Sequence, residues 1–153
     1  MKRILFYIII LLAVTALPVH YQDVADLEPI RAVWVSAEEK TVILQADTGD
    51  RGRGETVEEA LSQMKRESPG IVYLDTARIL LISEGAEKHI PELQKVLKPS
   101  VRVCRWNGNG ALSTAADFAQ AHKTGVKLGK WTSAVKLPNL PEEIRQEKGE
   151  MPT

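Results

Sequence analysis

Apolar and polar positions along the chain fall into short blocks of two different periods, with one unbroken apolar run ahead of them. That run, Ile4 to Val14, comes after the cations Lys2 and Arg3. Cations before a short apolar stretch have the layout of a secretory leader, and the stretch is shorter than the roughly 20 residues of a spanning helix. Residues 1–18 are therefore expected to be a signal peptide or N-terminal membrane anchor. Val14-Thr15-Ala16 supplies small residues for cleavage, with Leu17-Pro18 directly behind. Residues 19–28 are polar and mixed and read as a linker.

From residue 29 the blocks are those of a folded domain. Ile30 to Val35 and Thr41 to Ala46 are β-branched runs around the polar stretch Ser36 to Lys40, the pattern of a hairpin. Gly49-Asp-Arg-Gly-Arg-Gly54 reads as a mobile loop. Thr56 and Glu59 then form a capping box, and Val57, Ala60, Leu61 and Met64 fall at i, i+3, i+4 and i+7, one face of a helix. Ser68-Pro69-Gly70 ends it. Ile71 to Leu74 and Ile79 to Ile82 are the next apolar runs, the second nearly continuous, as expected of a strand covered on both faces. Ser83 is placed to cap a helical segment from Glu84 to Leu97, broken at Pro91. Val101 to Trp106 alternates as a strand, closed by Asn107-Gly-Asn-Gly110, and Ser113 opens a helix to about His122. Interleaved strands and helices predict an α/β (α+β) domain over residues 29–137, a small mixed sheet with helices packed on it. Residues 138–153, with three prolines and dense charge, are expected to be a disordered tail.

Charge narrows the function classes. The chain has 153 residues, with 20 basic and 20 acidic side chains and no net charge. Such a balance predicts no nucleic-acid-binding face. A single cysteine, Cys104, excludes an internal disulfide. It lies within an apolar strand pattern, where an inert buried thiol is expected. His20, His89 and His122 are scattered, so no metal site is predicted. Glu58-Glu59 and Glu142-Glu143 are sequence neighbours that diverge on a helix, and they are not an acid–base dyad. The glycine loop lacks the Gly-Lys-Ser/Thr of a P-loop. Trp34, Trp106 and Trp131 are expected in or beside the core. No catalytic residue or cofactor is predicted. Arg51 and Arg53, in the glycine loop, are the candidate partner-binding residues.

Three passages carry a family resemblance. They are Gly54-Glu-Thr-Val-Glu-Glu-Ala-Leu61, then Tyr73-Leu-Asp-Thr-Ala-Arg-Ile-Leu-Leu-Ile-Ser-Glu84, then Gly85-Ala-Glu-Lys-His-Ile-Pro-Glu-Leu93. Together they resemble the N-terminal domain of the Ger(x)C family, the C subunits of spore-germination nutrient receptors. Ala115 to His122 and Leu128 to Leu140 are similar, in degenerate form, to the later part of that family's domain. Family members carry a lipid-accepting cysteine at the end of the leader, where this chain has Leu17, Pro18 and Val19, and they continue through further domains. The resemblance therefore implies a truncated or divergent relative. It further implies an exported, membrane-tethered or secreted accessory protein that assembles with membrane-embedded receptor subunits and is not an enzyme. Two alternatives stand beside it. One is an extracytoplasmic small-ligand module using the Asp47–Gly54 and Asn107–Gly110 loops. The other is a hydrolase with Cys104 as nucleophile and His122 as base.

Overall fold

The computed structural model describes residues 29–142, with Tyr7 alone ahead of them. The expected leader and linker, and residues 143–153 of the expected tail, lie outside the described residues.

The hairpin forms from β1 (Ala32–Glu38) and β2 (Thr41–Ala46), antiparallel with Val35 opposite Leu44. Its turn is tighter than the polar stretch predicts. Ser36 to Glu38 continue the strand, and Glu39 takes the left-handed conformation (φ 50°) that lets two residues reverse the chain. A second turn, with Gly49 at φ 100°, leads into β3 (Arg51–Gly54), which pairs antiparallel with β2. The expected mobile loop is thus an edge strand.

Helix α1 (Val57–Glu67) begins where the capping box puts it, with Glu59 N–H donating to Thr56 Oγ1 at 3.2 Å. The reciprocal arm differs, because the Glu59 carboxylate accepts the N–H of Glu55 (2.9 Å). Its apolar face, Val57, Ala60, Leu61 and Met64, is buried as the spacing predicts. Ile71 to Leu74 does not form a strand. Val72 turns inward while Ile71 and Tyr73 stay exposed, and a 3₁₀ turn comes next at Leu74–Thr76.

β4 (Ile79–Ile82) runs parallel between β1 and β5 (Arg102–Arg105), all four of its residues buried. Between β4 and β5 a 3₁₀ turn (Ala86–His89) feeds α2 (Ile90–Val96), with Pro91 in the first turn, so the expected break becomes a helix start. Ser83 and Glu84 precede this turn, and Gly85 is left-handed, which delays the helix. Helix α3 (Leu112–Ala121) starts one residue before Ser113, and no side chain caps it. It leads to β6 (Val126–Lys127), antiparallel to β5. The sheet order is β3-β2-β1-β4-β5-β6. The fold is therefore the α/β arrangement predicted: a mixed sheet with helices packed on it.

Alternation along the strands divides the core into two layers. Val33, Val35, Leu44, Leu80, Ile82 and Val103 face α1 and α2, meeting Leu61, Met64, Ile90 and Leu93. Ile79, Leu81, Cys104 and Trp106 face the small residues Ala115, Ala116 and Ala119 of α3. The ordered chain continues past Pro138, the expected start of the tail. Arg105 N–H donates to Pro138 O, Leu140 N–H donates to Arg105 O, and Leu140 is buried.

Candidate functional site

Arg51 and Arg53 stand on β3 because glycines alternate with them. A side chain at Gly52 would put its Cβ 1.9 Å from the carbonyl oxygen of Ala60, and at Gly54 2.5 Å from the nitrogen of Ala60. The glycine face of the strand is thus pressed onto α1, which displaces both arginines to the other face and into solvent. Neither arginine forms an ion pair among the described residues. Along the strand's outer edge, Arg53 N–H donates to Gln63 Oε1 at 2.6 Å, and Gln63 Nε2 donates to Glu67 at 2.8 Å. These helix side chains occupy an edge donor that strand addition would need. A partner meeting this edge therefore engages side chains first. Beside it runs an open groove of about 840 Å³, lined by Arg53, Thr56, Glu58, Glu59, Lys65 and Arg66 among others.

A smaller crevice of about 170 Å³ opens at the carboxyl ends of β4 and β5. After β4 the chain turns toward α2 on one face, and after β5 toward α3 on the other. Strand ends that part in this way leave the usual ligand crevice of an open α/β sheet. Its walls carry Glu84, Arg105, Trp106, Asn107, Asn139 and Glu142. Arg105 is bonded through Nε and Nη2 to Glu87. Trp106 is 5 % exposed, packs edge-on against Trp34 (centroids 5.8 Å apart), and its indole N–H has no partner among the described residues. The Asp47–Gly54 loop does not reach this crevice. Asp47 N–H donates to Ala32 O at the start of β1, and its carboxylate holds the N–H and Nε of Arg31. The Asp47–Gly54 segment turns at the far end of the sheet and runs back along the edge strand β3, three strands from β4, so the two loops of the small-ligand reading do not share a site.

Cys104 and His122 do not come together as nucleophile and base. Cys104 is fully buried and its Sγ donates to Thr124 O at 3.4 Å. Burial pushes its thiol up to about 11, against the opposing pull of Arg102, so the thiolate is scarce at neutral pH. The ring of His122 stacks on Phe118 (4.0 Å between centroids), with Nδ1 3.0 Å from the Phe118 carbonyl oxygen. His89 pairs with Glu92, and His20 lies outside the described residues. Among the described residues no cluster of His, Cys, Asp and Glu has the arrangement of a metal site, and no helix is long and apolar enough to cross a membrane. The Glu58–Glu59 pair diverges, with Glu59 turned to the Glu55 N–H.

Two features of these candidate sites escape the sequence. Glu84 and Asn139 are 55 positions apart, and only the Arg105–Asn139 bridge beside the end of β4 brings them to one crevice. Gln63 reads as an ordinary solvent-facing helix residue, and its role depends on where the edge strand falls. Compared with known proteins, the chain matches no family model, no curated protein and no solved structure.

Proposed function

We propose that this protein is a non-enzymatic, exported accessory protein of the germinant-receptor C-subunit type. It acts in spore germination by binding membrane-embedded receptor subunits at a membrane surface. The observation that carries the reading is the presentation of Arg51 and Arg53. They project from a strand held rigidly against α1, beside an open polar groove, without partners among the described residues. Unpaired arginines are favoured anchors for a protein partner because the planar guanidinium forms bidentate bonds and loses little freedom per bond formed. The resemblance to the Ger(x)C N-terminal domain supplies the class of partner. The buried, protonated state of Cys104 weakens the hydrolase alternative. Deletion of the gene in its native host tests the reading. Spores should form normally yet lose germination in response to nutrient, and an unchanged nutrient response would contradict it.

The crevice at the ends of β4 and β5 favours a second reading, a small-ligand module. Its converging amides and carboxylates and the unpartnered Trp106 indole match what a polar ligand needs. A thermal-shift screen with small polar amines and amides tests it. A saturable rise in Tm that Asn139→Ala abolishes is the expected result, and its absence across the panel counts against this reading.

A further inference from the structure

We infer that the end of the domain where β1 and β4 begin lies against a lipid surface, with Ile71 and Tyr73 as its contact residues. The inference rests on the proposed membrane location and on the leader acting as an anchor, and it assigns the face that meets the bilayer.

Within residues 29–142, Ile71 (40 % exposed) and Tyr73 (42 % exposed) are the large apolar side chains left most open to water. Both belong to the α1–β4 connection, with Val72 turned inward between them. Their backbone is pinned. Tyr73 bridges to Pro29, and Thr76 Oγ1 bonds both Tyr73 O (3.1 Å) and Ile30 O (2.9 Å). Pro29 and Ile30 are where the chain coming from the leader joins the sheet. The patch therefore sits at the point of attachment.

Reach bounds the distance. Residues 15–28 can span at most about 50 Å at the 3.3–3.6 Å per residue of an extended chain. With Ile4 to Val14 held in a bilayer, Pro29 stays within that distance of the surface, and Tyr73 with it. Tethering of this kind gives a weak surface contact a high effective concentration. A tyrosine beside an isoleucine suits the interfacial layer, where an apolar body and a polar tip are both accommodated.

Charge is arranged in the same sense. Around the patch Arg66, Arg78 and Lys98 are exposed, against Glu67 and Asp75. Arg31 is occupied by Asp47 and Asp117. The opposite end, at the strand carboxyl ends, exposes Glu38, Glu39, Glu84 and Glu142, offset by Lys40 and Lys88. An anionic surface thus attracts the Ile71–Tyr73 end and repels the other.

Spin labels on the full chain in phosphatidylcholine/phosphatidylglycerol vesicles test the assignment. Ile71→Cys, Tyr73→Cys and, as the reference at the far end, Glu84→Cys are labelled singly, with native Cys104 left in its buried site. The protein should float with the vesicles. At positions 71 and 73 accessibility to oxygen relative to a nickel chelate should be severalfold higher than at 84. Flotation with equal ratios at all three sites overturns the assignment and leaves the anchor standing. Failure to float removes the anchor and this assignment together. Shielding of 71 and 73 in vesicle-free solution would mean a protein contact, which also overturns it.

Discussion

The carboxylate of Glu92, in α2, accepts the backbone N–H of Val57, the first residue of α1, at 3.1 Å. Its other oxygen lies 3.2 Å from Nδ1 of His89. One side chain thus ties the two helices on the same face of the sheet and satisfies an N-terminal donor of α1 from 35 positions away. Burial pushes this carboxyl up, but the Val57 N–H, the His89 ring and the charges of His89 and Lys95 together hold it below its usual value.

Glu92→Ala should lower stability by about 1 kcal/mol, the typical worth of a helix cap. A carboxyl held low in the folded state stabilises above its unfolded pKa, and that contribution is lost as pH falls through the folded value. The parent should therefore lose its advantage over Glu92→Ala on acidification below about pH 4.5. Urea melts of both proteins at pH 7 and pH 3.5 measure it, and a constant difference between them would refute the cap.

Gly52→Ala should be among the most destabilising changes in the chain. The added methyl would fall on a helix carbonyl oxygen that cannot swing aside, so β3 must separate from α1. A loss of at least about 3 kcal/mol is expected, at or above the upper end for overpacking. Arg51→Ala, one residue away in solvent, should melt like the parent. Thermal melts of the pair distinguish a docked strand from a mobile loop.

The spacing of Val57, Ala60, Leu61 and Met64 makes α1 legible in the sequence, as the unbroken Ile79–Ile82 run does for the central strand. Periodicity reports one buried face or two, and these elements bury theirs fully. The β3 strand is hidden for the opposite reason. Arg-Gly-Arg-Gly has no apolar side chain to alternate, and its glycines serve close approach rather than flexibility. Ile71 to Leu74 misleads because an apolar run with a single bridge, Tyr73 to Pro29, reads like a fully paired strand. Arg51 and Arg53 are legible as a pair, but the groove beside them and the crevice depend on contacts between distant positions. Those contacts have no local signature.

Leu61 and Leu81 sit in the two separate layers of the core, each buried. Leu61→Ala and Leu81→Ala should each cost about 2–5 kcal/mol. Because the sheet lies between them, the double variant should lose close to the sum. Denaturant melts of the two singles and the double test this, and strong coupling would mean the layers are not independent.

Cys104 should resist thiol reagents in the native protein. With its thiol raised to about 11 and enclosed beside Gly125, labelling at pH 7.5 should be slow and should accelerate when denaturant opens the fold. Cys104→Ala should cost roughly 1 kcal/mol for a small buried side chain. Rapid stoichiometric labelling of the native protein would restore the nucleophile reading.

Site-specific photo-crosslinking from the arginine face bears most directly on the proposed function. A photoreactive residue replaces Arg53 in the full chain, and another replaces Lys127 on the opposite edge strand, with both proteins expressed in the native host. The expected result is a discrete adduct between the position-53 protein and a multi-spanning membrane subunit, absent at position 127. No membrane-protein adduct from position 53, or equal adducts from both positions, would contradict it.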